Sequence, residues 1–378
     1  MPEKEIAIRV TEVLNKKELK WFIQFPNLLY KGNKYYVPRL RFDEMATLRK
    51  DKNPAFDYCE ARYWLAWKGD RIVGRIAGII NHSYIKKWGN RYIRFGWFDF
   101  EEDGDIARAL LDEVQRWGKD RGMDACHGPM GFTDLDQEGM LVEGFDQLGT
   151  LATIYNYPYY SPLLEAEGYK KEVDWLEYKI QVPKSIPEKI DRGSRLVMDR
   201  LGLKVLKARK PKEILPFASQ IFQMINDAYT NLHGVVELTD KQIKYYTKQY
   251  FSFIRTDFVT LVTDREGRLA AFGITMPSLS VALQKANGNL FPFGFIYLMK
   301  ALKKNLVGDL YLVAVRPDLQ GKGVNAVLMT EITRSYIRNG IEYAESNPEL
   351  ESNVQVQAFW KYYDAQNHKR RRCYIKSF

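Results

Sequence analysis

The chain has 378 residues, 46% of them hydrophobic and 28% charged, with three cysteines, four histidines and a formal net charge of +10. That apolar content can fill two cores of ordinary size, at roughly 100–200 residues per compact unit, and it excludes general disorder. Cys59, Cys126 and Cys373 cannot build a disulfide framework, and with His82, His127, His233 and His368 scattered along the chain no metal is expected.

The N-terminal stretch MPEKEIAIRVTEVLNKKELKWF alternates charged and apolar residues and lacks the apolar core of a signal peptide. The longest apolar run, near 291–302, is about half of the ~20 residues a helical span needs. A soluble, cytoplasmic protein is the expectation. The positive charge favours an anionic partner, but basic residues are interspersed with acids, and a nucleic-acid-binding module stays only as an alternative resting on charge. The one dense basic run, HKRRR at 368–372, reads as a solvated tail, with a phosphate or membrane contact as the other option.

In chain order, 63–67 and 71–80 read as strands around the turn Lys68-Gly69-Asp70, followed by a strand over 92–100. Residues 105–121 carry Ile106, Ala109, Leu110, Val114 and Trp117 at helical spacing; Gly122 ends the helix and a short strand follows. The order then repeats. Strands over 258–263 and 269–276 flank a turn, a strand over 309–315 leads through glycines into a helix over 324–338, and a strand over 341–345 follows. Pro183 and Pro187 interrupt regular structure and mark 183–203 as a linker between domains 1–182 and 204–378. Repetition of hairpin, strand, helix and strand suggests an internally duplicated α/β unit with mixed sheets.

The most specific signal is LYLVAVRPDLQGKGVNAVLMTEI, where a β-rich run ends at Val315 and Gln320-Gly321-Lys322-Gly323 opens an amphipathic helix. Glycines at 321 and 323 permit positive φ, so backbone N–H groups can converge on an anion; the helix N-terminus and Lys322 add positive charge. A diphosphate fits that chemistry. The Rossmann and Walker patterns do not match.

This segment resembles the acyl-CoA-binding loop of the GNAT N-acyltransferase superfamily, whose pattern is Gln/Arg-x-x-Gly-x-Gly/Ala. Gln320, Gly321, Lys322, Gly323 and Val324 fit; Asn325 stands in place of the last small residue, and Ala326 supplies one a step later. The resemblance covers 204–378 and, by element order, 1–182, so the whole looks like a tandem GNAT protein. It implies acetyl-CoA or a longer acyl-CoA as co-substrate, held by residues 320–326. Leu312, Val313, Ala314 and Val315 would then lie along the pantetheine arm and donate a backbone N–H to the thioester oxygen, and Asn353 would join the cofactor site. The corresponding turn of the first half carries Asp99, Glu101, Glu102, Asp103 and Asp105, acids that suit a helix N-terminus but repel a diphosphate. The first half is therefore expected to have lost cofactor binding.

Aminolysis of a thioester needs a base for the amine, polarisation of the carbonyl and a proton for the leaving thiolate. By the resemblance Glu345, at the end of its strand, is the base, with Asp309 as a weaker choice. Tyr363 is preferred to Tyr362 as the acid. Cys126 and Cys373 have no evident histidine partner, so transfer is expected to be direct. In the first half the long 128–169 segment, with Asn156 and Tyr157 among tyrosines, reads either as domain packing or as a wall of the acceptor pocket. The 277–305 insertion pairs an aromatic run with Lys300, Lys303 and Lys304, which suits packing, a lipid-substrate flap or peripheral membrane contact. An amine, small or lipid, is the expected acceptor. A non-catalytic acyl-CoA-binding protein of the same fold is the alternative. No feature of the sequence speaks to oligomeric state.

Overall fold

A computed structural model describes residues 7–250 and 254–378. The first six residues of the N-terminal stretch, read above as free of a leader, lie outside the described residues. In chain order the elements begin β1 (Ile8–Glu12), α1 (Lys16–Leu29), α2 (Arg41–Thr47), β2 (Cys59–Lys68), β3 (Arg71–Asn81) and α3 (His82–Trp88). They continue β4 (Tyr92–Phe100), α4 (Gly104–Asp120), β5 (Ala125–Gly128), β6 (Met140–Glu143), α5 (Tyr160–Ala166) and β7 (Lys170–Gln181). Next come α6 (Glu188–Leu201), β8 (Lys204–Leu206), α7 (Ala218–Tyr229), α8 (Asp240–Tyr250), β9 (Val259–Thr263) and β10 (Leu269–Pro277). The last are α9 (Ser280–Ala286), α10 (Gly294–Lys303), β11 (Val307–Val315), α11 (Val324–Asn339), β12 (Tyr343–Glu345), β13 (Glu349–Leu350), α12 (Val354–Phe359) and β14 (Ala365–Ser377).

The chain forms two compact units. One comprises Met1–Leu176, Ser280–Tyr297 and His368–Phe378, the other Glu177–Leu279 and Leu298–Asn367. The 183–203 stretch read as a linker holds the 14-residue helix α6, which belongs to the second unit. Pro187 stands immediately before that helix, where a missing N–H costs nothing, so the prolines mark its start.

In the first unit β1, β2, β3, β4, β5 and β14 lie side by side, with β7 beyond β14 and β6 also pairing β14. β1 to β4 pair in antiparallel succession and β14 is antiparallel to β5 and β6, whereas β4 and β5 are parallel over Tyr92–Arg94 and Ala125–His127. The apolar stripe of α4 predicted from spacing is buried at Ile106, Leu110, Val114 and Trp117 and packs on Val73, Ile76, Ile93 and Phe95 of the sheet. In the second unit the order is β7, β12, β11, β10, β9, β8, again antiparallel apart from β11 and β12. Helix α11 covers this sheet through Val327, Leu328 and Ile332. Each unit is thus a mixed α/β layer, as the duplicated pattern predicts.

Two expectations change. The HKRRR run is no solvated tail: it lies in β14, where Lys369 and Arg371 are each 1% exposed. Strand alternation aims these two inward. Lys369 Nζ donates to the Leu148 carbonyl at 3.1 Å and Arg371 to the Ile154 carbonyl, while Arg370 and Arg372 pair with the buried Asp174. Charge density suggested solvent, but the acceptors lie elsewhere in the chain.

The 128–169 segment is also more ordered than a loop, since it contains β6 and α5. Its tyrosines pack within the first unit: Tyr155 and Tyr157 lie 5.5 and 5.1 Å from Tyr30, ring to ring. Asn156 is buried. Its Oδ1 accepts from Leu141 N at 2.7 Å, and its Nδ2 donates to the carbonyls of Leu141 and Tyr157. It clamps β6 in place. Removing it leaves buried backbone groups unsatisfied, at about 1–3 kcal/mol each. Asn156→Ala is therefore expected to lower unfolding free energy by about 2–4 kcal/mol in chemical denaturation, whereas Tyr157→Phe should change it little.

Candidate functional sites

The Gly-rich turn of the second unit is built as the sequence predicts. β11 ends at Val315, Pro317–Leu319 makes one tight helical turn, and Gly321 and Gly323 adopt φ of +71° and +89°. Non-glycine residues avoid that region. Gly323 is the cap of α11 and no side chain caps the helix there; the Ala326 N–H donates to the Gly323 carbonyl, and the N–H groups ahead of it remain available to an incoming acceptor. Gln320, Gly321, Lys322, Gly323 and Asn325 are exposed, Ala326 is half-buried and Val324 is buried as the first anchor of α11. Helix α6 braces the turn: Arg200 donates to the Lys322 carbonyl at 2.9 Å, and Val197 lies against Gly323. Asp191 on α6 pairs with Arg334 on α11, fixing one helix to the other.

The equivalent helix of the first unit begins differently. The Asp103 carboxylate caps α4 by accepting from Asp105 N at 2.8 Å, and Lys68 pairs with Asp103 at 2.6 Å. That lysine holds the Asp103 carboxyl below its usual range. Here the helix end is closed by the chain's own anion. Asp105 also stands in the first turn of α4, where it pairs with Arg108, while Glu101 pairs with Arg71 and Asp99 is buried against Arg75 at 2.7 Å. Two of the five acids, Asp103 and Asp105, therefore stand at the start of α4.

Beside the Gly-rich turn, β11 and β12 separate. Their parallel pairing covers only Val307↔Tyr343, Gly308↔Ala344 and Asp309↔Glu345. Immediately afterwards β11 bulges, since Leu310 pairs with Thr275 and Leu312 with Ile274, leaving Tyr311 as the extra residue. Asn347 Nδ2 donates to the Tyr311 carbonyl at 2.7 Å, and Ser346 turns away to β7 through Tyr178. Among the described residues, the β11 edge from Tyr311 to Val315 therefore has no strand beside it on the β12 side. Tyr229 on α7 donates to the Val313 carbonyl at 2.9 Å. Leu312 and Val313 are half-buried along this stretch, while Ala314 and Val315 are buried.

Glu345 is buried at the last paired position, opposite the buried Asp309. Tyr311 Oη donates to Asp309 Oδ2 at 3.1 Å. Tyr363 lines a small recess with Leu310, Ala344 and Tyr336, and burial raises its phenol to about 12. Tyr362, by contrast, is 76% exposed. Asn353 caps α12 by accepting from Val356 N at 3.4 Å, a local role on the helix itself. Sequence reasoning missed Glu349. Its carboxylate accepts from Trp360 Nε1 at 2.9 Å, and burial lifts it from the usual 4.5 to about 7. The only signal was its place beside Pro348 in a polar stretch, which reads as a loop.

The first unit holds a larger recess beside a matching bulge at Trp97, whose φ is +44°. Arg75, Asp99, Arg39 and Glu44 line it; Tyr30 Oη donates to Asp99 at 2.9 Å, and Trp97 Nε1 to Glu44 at 2.7 Å. Asn156 lies on its wall, but Tyr157 does not. The same unit brings His127, Glu172 and Cys373 together, with one donor atom from each lying within 4.8 Å of the others. The sequence hid this trio because its members stand on β5, β7 and β14. Glu172 accepts from His127 Nδ1 at 3.1 Å and from Cys373 Sγ at 3.3 Å, and the donor set would also suit a borderline-soft divalent metal. Burial pushes the Cys126 thiol up to about 12 and the Cys373 thiol well above its usual value.

No family model matches the chain. It is 27% identical over 374 residues to Protein YghO of Escherichia coli, covering 97% of this chain and 95% of that one. It is also 27% identical over 303 residues to a bacterial ceramide synthase of Caulobacter vibrioides, covering 78% and 77%. Among solved structures, a tandem GNAT protein from the clavulanic acid biosynthesis pathway superposes with a TM-score of 0.56 at 12% identity, covering 98% of both chains. The fold is that of a tandem GNAT protein.

The raised Glu349 carboxyl has a thermodynamic signature. Folded chain keeps this proton up to about pH 7 while unfolded chain releases it near 4.5, so stability falls as pH rises through that window. Glu349→Gln should flatten the fall by roughly 2–3 kcal/mol, read as the difference between wild-type and variant unfolding free energies at pH 4.5 and 7.5.

Proposed function

We propose that the protein is an acyl-CoA-dependent N-acyltransferase that moves an acyl group directly from CoA to an amine on a lipid. The observation that carries the reading is the uncapped α11 N-terminus behind Gly321 and Gly323, beside a strand edge left open by the parting of β11 and β12. A diphosphate suits the converging N–H groups and Lys322. A pantetheine arm suits the unpaired β11 edge, to which it can add like another strand. Because a strand residue's N–H and C=O point the same way, Val313, whose carbonyl meets Tyr229, also directs its N–H to that edge. This N–H is the proposed donor to the thioester oxygen.

Glu345 is the proposed base for the amine, standing at the root of the opening. Glu349, with a carboxyl near 7, is the second candidate, because such a group is half ionised at neutral pH and exchanges protons readily. Tyr363 is the proposed acid for the leaving thiolate. No acyl-enzyme is invoked, since the buried thiols of Cys126 and Cys373 are held protonated. The acceptor class draws on the similarity to a ceramide synthase. Ceramide is an N-acylated long-chain amine, and acyl transfer from CoA to such an amine needs only the groups named.

Calorimetry with CoA should give one site per chain, abolished by Gly323→Glu, which puts a carboxylate in the cradle. Binding to two equal sites, or binding that survives this change, would remove the reading. If CoA binds and turnover with a long-chain amine is absent, the chain is a non-catalytic acyl-CoA-binding protein. Glu345→Gln should lower kcat by about 10²-fold or more with CoA affinity unchanged. If Glu349 is the base instead, the loss moves to Glu349→Gln and takes with it the acid limb of the pH–rate profile near pH 7.

A further inference from the structure

We propose that the segment 290–304 is a docking surface for an anionic lipid bilayer. The exposed apolar side chains of the molecule are concentrated there: Phe291 is 79% exposed, Phe293 67% and Met299 60%, with Phe295, Ile296 and Tyr297 also open to solvent. Large contiguous apolar patches are uncommon on free surfaces, and scattered single residues are the norm. These residues adjoin one another along the chain, and the Phe291 and Phe295 rings lie 6.1 Å apart.

The exposure belongs to ordered backbone. Phe295 N donates to the Leu290 carbonyl at 2.8 Å, and α10 buries Gly294, Leu298 and Leu302, four residues apart, on one stripe. The opposite side of α10 therefore has to present Phe295, Ile296 and Met299 together with Lys300 and Lys303. Upstream, Gln284 donates to the Lys34 and Tyr36 carbonyls, so α9 fixes the start of the segment within the first unit.

Charge selects the occupant. From Pro277 to Gly308 the sequence has four lysines, Lys285, Lys300, Lys303 and Lys304, and no acid. All four are exposed. A protein partner is a poor match, because interface cores are depleted in lysine. A bilayer fits both parts: aromatic and aliphatic side chains enter the headgroup region, and lysines extend along their stems to anionic phosphates. Among the described residues no helix is long and apolar enough to cross a membrane, so the contact is peripheral. It is independent of the acyl-transfer reading, although a lipid acceptor would be reached from such a surface.

The test is co-sedimentation of the full chain with phosphatidylcholine vesicles and with vesicles that also contain phosphatidylglycerol, without CoA. Wild type should bind the anionic vesicles and release them at high salt. Phe291→Ser with Phe293→Ser and Met299→Ser should weaken partitioning at least tenfold, as should Lys300→Glu with Lys303→Glu and Lys304→Glu. Removing one lysine should cost roughly fivefold. The same charge change at the exposed Lys207, Lys210 and Lys212 should leave most binding intact. Unchanged thermal melts establish that each variant is folded. The proposal falls if wild type does not bind, if the serine variant binds as well as wild type, or if the control lysines matter equally. It also falls if wild type self-associates and the serine variant is monomeric with vesicle binding unaltered, since a second copy would then cover the patch.

Discussion

Three residue pairs hold β11 to β12, and the candidate site of the second unit depends on the pairing stopping there. A parallel pair that continued to Val315 would saturate the edge on which a ligand could be added. The bulge at Tyr311 prevents this by rotating the strand, and Asn347 fills the first vacant carbonyl so that the break is satisfied and not merely open. Buried backbone groups cannot be left unmet without cost. The parting therefore requires its own polar caps, and Tyr229 and Asn347 supply them. The glycine turn then lies at the far end of the same strand, carried there by β11 and fixed by α6.

The two units show how one plan diverges through few residues. Both keep the short parallel pair and a bulge on the strand that precedes the main helix. They differ at the helix start. A glycine at position 323 leaves the N–H groups of α11 uncovered, while Asp103 covers those of α4 from within. An anion bound at α4 would have to displace a carboxylate already paired with Lys68. What remains in the first unit is a recess whose charged groups neutralise one another, Arg75 with Asp99 and Arg39 with Glu44.

Local pattern carried most of this architecture. The hairpins around Gly69 and Gly267, the stripe of α4 and the glycine turn are written in neighbouring residues, and each is found within a few positions of its predicted place. What the sequence could not show is pairing across long separations. Arg371 reads as a surface charge until its acceptor at Ile154 is known, and the bonds by which Asn156 holds Leu141 are not visible among its neighbouring tyrosines. His127, Glu172 and Cys373 look scattered because strands bring together residues far apart in sequence. Glu349 escaped notice for a related reason: its raised carboxyl follows from burial and from Trp360, neither visible in two residues of strand. The segment 277–305 was legible in its composition, but the stripe of burial that turns one face outward was not.

The placement of β14 has a consequence for synthesis. This strand follows the other described elements along the chain, yet it lies between β5 and β7 in the interior of the first unit's sheet. Until it arrives, β5 has an open edge, and the Asp174 carboxylate lacks the guanidinium groups of Arg370 and Arg372. Domains usually complete themselves in order as they leave the ribosome. Here the first unit cannot close until residues 368–377 have emerged, after all of the second unit, so the second unit is finished, or nearly so, while the first still waits for an inner strand.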